Sequence, residues 1–191
     1  MQAASERPPR PGRDHDMRTG RTTAWLIGMS KTAALTDHSQ PAGGVAVRPA
    51  APADLEAVLA LATAFYVEDG GTIPVDELRS NLKSLLVSES ARTAVAVSGH
   101  ELMAFAVTTT SFGLESGLVA ELEDLYVTPA ARRQGIAGRL IHDSARWARK
   151  RGCRYLELVI APHGRDASHL DAYCRNRGFQ DQSRKLIARD L

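Results

Sequence analysis

From Val45 onward the sequence predicts an α/β domain with a mixed sheet. Apolar residues alternate between two periods, every second position in short runs and every third and fourth in longer ones. The runs follow the order β-α-α-β-β-β-α-β-α-β, and strands interleaved with helices make layered α/β domains. At 191 residues the chain has room for one such domain and a tail.

Each element has its own signal. Val45-Ala-Val-Arg-Pro49 reads as a short strand ended by its proline. Pro52 and Asp54 open a helix, with Asp54 as cap or first-turn carboxylate; Leu55, Val58, Leu59, Leu61, Ala62 and Phe65 follow at helical spacing until Gly70-Gly71. A second helix begins at Pro74 and carries Val75, Leu78, Leu82 and Leu85. Thr93–Val97 and Leu102–Thr110 read as strands joined by the hairpin turn Ser98-Gly-His-Glu101, and Leu118–Val127 as a third, longer strand. Ile136–Arg151 is helical, with a stripe at Ile136, Leu140, Ile141, Ser144, Ala145, Trp147 and Ala148. Tyr155–Ile160 reads as a buried strand, Ala167–Arg177 as a helix and Lys185–Ala188 as a last strand.

Residues 1–44 scatter Pro, Gly, Arg, Ser and Thr without period, and only Ala24–Gly28 is briefly apolar. This segment is expected to be disordered or loosely attached, leaving 45–191 as the domain. A hydrophobic content of 43% with 24% charged residues is ordinary for a soluble globular protein. The net charge of +2 is too small to argue for a nucleic-acid partner. Its distribution says more: Val45–Asp124 holds 4 Lys/Arg against 12 Asp/Glu, and Leu125–Leu191 holds 14 against 6. One half favours a cation and the other an anion, unless the halves simply match each other. Two cysteines, Cys153 and Cys174, make neither a disulfide framework nor a zinc pattern, and the histidines lack metal-ligand spacing, so no metal is expected. With no apolar run long enough for a membrane span and no secretory core in the first residues, a cytoplasmic protein without a membrane partner is expected.

The most informative stretch is Pro129-Ala-Ala-Arg-Arg-Gln-Gly-Ile-Ala-Gly-Arg-Leu140, which joins a strand to a helix. A helix start leaves backbone N–H groups unpaired and carries partial positive charge. With Gly135 permitting close approach and Arg132 and Arg133 beside it, the turn suits a diphosphate; on its own it is equally a tight connection with solvated arginines. It is neither a P-loop nor a dinucleotide fingerprint. Arg132-Arg-Gln-Gly-Ile-Ala137, after Leu125-Tyr-Val-Thr-Pro129, closely resembles the coenzyme A signature [RQ]-x-x-G-x-[GA] of the GNAT acetyltransferase superfamily. The element order and Arg177-Gly-Phe179 extend the resemblance over residues 45–191.

The resemblance implies a GNAT fold: a mostly antiparallel mixed sheet, two parallel strands that splay apart at its centre, and about four flanking helices. It implies acetyl-CoA as co-substrate. Backbone groups of Leu125, Tyr126 and Val127 would meet the pantetheine arm, and Arg132, Arg133, Gln134, Gly135, Ile136, Ala137 and Gly138 would surround the pyrophosphate. Glu121, Glu123 and Asp124 precede that strand end. In a regular strand Glu121 and Glu123 share one face and Asp124 takes the other. Paired carboxylates raise a pKa and attract a cation, so Glu121 and Glu123 are expected as base or ammonium anchors, with Asp124 also at the substrate. Relatives donate a proton to the departing thiolate from a Tyr four residues before the Gly of Gly-Phe. Here Cys174 holds that position and Tyr173 stands one earlier; Tyr173 is the expected donor, with Cys174 or neither as alternatives. The family's Asn is replaced within His163–Ser168, where Ser168 or Asp166 would cap the helix and contact the cofactor.

The acidic half and the Glu121–Val127 tract look most like aminoglycoside N-acetyltransferases, implying transfer of acetyl to a primary amine of a cationic small molecule. A protein or peptide, a polyamine, and a non-catalytic acyl-CoA sensor are the alternatives. A homodimer is left open.

Overall fold

In the computed structural model the described residues are 26–27, 44–160, 167–183 and 189. They form β1 (Leu26–Ile27), β2 (Val45–Pro49), α1 (Leu55–Glu68), α2 (Val75–Val87), β3 (Ala91–Ser98), β4 (Glu101–Gly113), β5 (Gly117–Val127), α3 (Ile136–Lys150), β6 (Leu156–Glu157) and α4 (Ala167–Arg175). The expected strand 185–188 and the segment 161–166 lie outside the described residues, as does the tail apart from β1 and Gly44.

The strands make one sheet in the order β1-β5-β4-β3-β2, with β6 also on β5. Pairing is antiparallel from β2 through β5, and parallel where β6 and β1 meet β5. The α/β class, the mixed sheet and the helix order are as the periodicity predicts. Asp54 turns out to belong to the 3-10 turn Pro52–Asp54 ahead of α1: its carboxylate accepts the Ala51 amide at 2.7 Å and both arms of the Arg48 guanidinium at 2.6 and 2.9 Å.

The run Tyr155–Ile160 departs from expectation. It pairs with β5 only through Ala120↔Leu156 and Glu121↔Glu157; Tyr155 is exposed and Leu156–Ile160 are half-buried rather than buried. Beyond Glu121 the parallel strands part company, which is the splay the resemblance implies.

Each sheet face carries its own core. On one side Ala94, Ala96, Ala104, Ala106, Leu122, Leu125 and Val127 pack against Ile136, Leu140 and Ile141 of α3. Small alanines let the helix lie close to the sheet. On the other side Val95, Phe105, Val107 and Tyr126 pack against α1 and α2, with Phe65 of α1 set 5.8 Å from Tyr126 and 6.3 Å from Phe105 between ring centroids.

Polar groups fix α3 on its face. Asp143, only 2% exposed, accepts Arg92 Nε at 2.7 Å and Nη2 at 3.1 Å from β3, and Arg146 Nη2 at 2.7 Å from its own helix. Burial alone would raise the Asp143 carboxyl; the two guanidiniums outweigh it and hold the pKa below the usual value. Nearby the buried Thr108 hydroxyl donates to Ser144 at 2.8 Å. These contacts tie the middle of α3 to β3 and β4.

Candidate active site

At the exit of β5, Leu125, Tyr126 and Val127 are packed at 1%, 3% and 4% exposure, and a 3-10 turn follows at Pro129–Ala131. Two left-handed residues then shape the entry to α3: Arg133 at φ 64° and Gly135 at φ 76°. Gly135 is the residue that caps α3, and having no side chain it leaves the first-turn amides of Ile136, Ala137 and Gly138 uncapped. A β-carbon there would meet nothing within 4 Å, so the space outside the turn is open. Ile136 and Ala137 turn their side chains into the core, and what this turn offers a ligand is backbone N–H and helix charge.

The arginines part here. Arg132 faces inward: its Nε donates to the Val127 carbonyl at 2.9 Å, its Nη2 to Glu68 of α1 at 2.6 Å, and its guanidinium lies 5.7 Å from the Tyr126 ring centroid. It fastens the end of β5 to the end of α1 instead of standing at the helix start. Arg133 and Gln134 are exposed, and the Gln134 amide donates back to the Ala130 carbonyl at 3.3 Å.

Gly138 receives α4 and the turn after it. Tyr173 Oη stands 3.3 Å, and Arg177 Nη2 3.4 Å, from where a β-carbon on Gly138 would be. The Arg177 guanidinium stacks 3.3 Å from the Tyr173 ring centroid. Tyr173 Oη is buried and has no hydrogen-bond partner among the described residues. Burial pushes its pKa to about 12 against the opposing pull of Arg177, so the phenol keeps its proton. The one-residue offset has a visible result: Tyr173 meets the first turn of α3, while Cys174 sits 2% exposed in the α3-side core, its thiol pushed up to about 11 by burial. The side chain of Ser168 lies outside the described residues.

The carboxylates are arranged otherwise than a regular strand would place them. Val107 pairs with Asp124 but Thr108 pairs with Leu122, so Glu123 is an extra residue in a bulge. The bulge reverses the alternation: Leu122, Leu125 and Val127 all join the α3-side core, and Asp124 moves to the opposite face. There the Tyr66 hydroxyl of α1 donates to Asp124 Oδ1 at 3.1 Å. Glu123 accepts the Thr109 hydroxyl at 2.7 Å, and Glu121, in register with Thr109, shares that face. Asp124 is thus on the same side as the two glutamates. Glu157 of β6 stands in register beside Glu121.

Asp124 is the perturbed group. Burial pushes its pKa to about 7, the Tyr66 hydrogen bond works against the shift, and the Glu123 charge adds to it. A carboxylate near neutrality at the mouth of a splay can take a proton from an ammonium, and neighbouring acids attract that cation.

Tyr66, Thr109 and Glu157 were not singled out by motif, and Arg177 was read only as part of Arg177-Gly-Phe179, not as a site residue. Two left traces: Tyr66 ends an apolar helical stripe with a polar tip, and Glu157 interrupts the apolar run of β6. Among the described residues no group of His, Cys, Asp or Glu could hold a metal ion, and no helix is long and apolar enough to cross a membrane.

Residues 55–179 match the acetyltransferase (GNAT) family. The chain is 37% identical over 142 residues to an aminoglycoside N(6')-acetyltransferase type 1 of Serratia marcescens, covering 71% of this chain and 92% of that one. Its structure resembles the aminoglycoside 6'-N-acetyltransferase AAC(6')-Ig of Acinetobacter haemolyticus, with a TM-score of 0.61 and 26% identity over 76% of this chain and 98% of the other. It shares the fold of AAC(6')-Iy solved with a bisubstrate analogue of CoA and acetylneamine, with a TM-score of 0.68 and 21% identity over 78% of this chain and 99% of the other. The coenzyme A signature, the splayed parallel pair and these matches agree: the chain belongs to the GNAT family of acetyltransferases.

Proposed function

We propose that the protein transfers the acetyl group of acetyl-CoA directly to the 6'-amine of an aminoglycoside. The observation that carries this reading is Asp124, near neutral pKa, hydrogen-bonded by Tyr66 and sharing its face with Glu121 and Glu123 on the strand that runs into the anion-binding turn. The names of the relatives supply the substrate class and the nitrogen.

Each end of β5 has a part. Amides from Arg133 to Gly138 hold the diphosphate, and the pantetheine arm lies extended along the backbone edge of Leu125–Val127, which directs the thioester toward the splay. Glu121 and Glu123 draw in and orient the polycation. Asp124 as carboxylate takes a proton from the ammonium; the free amine attacks the thioester carbonyl, a C–N bond forms and the C–S bond breaks. Tyr173, which holds its proton to high pH, gives it to the sulfur, and the second proton shed by the nitrogen as it becomes an amide restores the phenol. The base role thus moves from the glutamates to Asp124, leaving them as anchors. We take 45–191 as the catalytic domain and place the reaction in the cytoplasm, where free thiols such as Cys153 and Cys174 persist.

Release of the coenzyme A thiol tests the reading. Aminoglycosides bearing a 6'-amine should accelerate release from acetyl-CoA, while those with a 6'-hydroxyl should not. Release with lysine peptides or linear polyamines alone would overturn the substrate, and no release with any amine would overturn the enzyme.

A further inference from the structure

The outer edge of β5 has two occupants. Over Ala120–Glu121 it is paired by β6; past the point where β6 diverges, Leu125 and Tyr126 are paired in parallel by Leu26 and Ile27 of the chain's own N-terminal segment. These are the backbone groups along which the pantetheine arm is proposed to lie. A buried strand edge needs hydrogen-bond partners, and pantetheine, a thin extended chain bearing two amides, offers the same chemistry as a two-residue strand of about 7 Å. One edge serves one occupant.

Chain geometry allows the segment to reach this place. β1 and β2 lie at opposite ends of the path β1-β5-β4-β3-β2, about 19 Å apart at the usual strand spacing. Residues 28–44 can span roughly 60 Å when extended. A tethered segment works at high effective concentration, yet so short a parallel strand pairs weakly. It can therefore hold the edge in the free protein and yield it to a ligand that also gains the diphosphate contacts.

We propose that Leu26–Ile27 is a built-in competitor of acetyl-CoA: the N-terminal segment closes the pantetheine edge in the free protein and is displaced when the co-substrate binds. The inference rests on the acetyl-CoA reading above. It is tested by isothermal titration of coenzyme A into the full chain and into a full-length Leu26→Pro/Ile27→Pro variant. Proline donates no amide hydrogen and does not sit in a paired strand, so the variant frees the edge. The dissociation constant should fall by about two- to tenfold in the variant, the factor expected if the open form is a half to a tenth of the free population. Hydrogen exchange on the parent should show residues 26–27 losing protection, and 125–138 gaining it, as coenzyme A is added. Equal or weaker binding by the variant, or protection at 26–27 that survives saturation, overturns the competition. Failure of coenzyme A to bind either chain overturns the acetyl-CoA reading, and the inference with it.

Discussion

The C-terminal end of β5 and its bulge differ in what they are made of. The exit turn offers backbone amides, shaped by Gly135 at positive φ, and the helix it opens is tied at mid-length to β3 and β4 by the Arg92–Asp143–Arg146 and Thr108–Ser144 contacts. The bulge offers side-chain carboxylates, held by single hydroxyl contacts from Tyr66 and Thr109. A backbone site depends on conformation and tolerates most changes of side chain. A side-chain site depends on one or two residues and on their protonation. The difference predicts that cofactor-side variants change stability and KM for acetyl-CoA, whereas acceptor-side variants change kcat and pH dependence.

The largest separation should come from Asp124→Asn, with kcat lowered by about a thousandfold, within the range for loss of a general base. Its stability should move the other way. With a folded pKa near 7 against an ordinary 3.8, Asp124 favours folding while protonated. That contribution is lost as pH rises through about 7, so the Asn variant should melt no lower than the parent at pH 8, and any gain should shrink toward pH 4 in a thermal series. Asp143→Ala tests the opposite side: it leaves Arg92 facing an emptied, buried site and should cost about 3 kcal/mol in urea unfolding, with KM for acetyl-CoA raised. A β-carbon at Gly135 meets nothing within 4 Å, but Gly135→Val must adopt positive φ, and should cost about 1–2 kcal/mol and weaken acetyl-CoA binding with the acceptor KM unchanged. The mildest are Glu121→Gln and Glu123→Gln, each expected to raise the aminoglycoside KM by about two- to tenfold with kcat kept, as loss of uniform binding does. A collapse of kcat in either would return the base role to that glutamate.

The same contrast explains what the sequence made legible. The anion turn is contiguous, so its glycine, its helix start and its family signature could be read in one stretch. Element order was readable because each run carries its own period. The acceptor face depends on cross-strand register: whether Asp124 faces α1 or α3 is decided by a bulge opposite Val107 and Thr108, which no local pattern in β5 reveals. Tyr66 lies 58 residues from its partner Asp124, and Arg132 was drawn away from the phosphate turn by Glu68, 64 residues earlier. The offset of Tyr173 could be seen in the sequence, but its position over Gly138 needed the packing of α4 on α3.

The pH dependence of kcat/KM for a 6'-amino aminoglycoside at saturating acetyl-CoA, measured on the parent and on Asp124→Asn, tests the central claim most directly. The parent should show an acid limb with a midpoint at about 7. In the Asn variant that limb should vanish, leaving a residual rate that climbs with pH as free amine accumulates. The same limb at the same midpoint in Asp124→Asn would contradict the account and send the proton elsewhere.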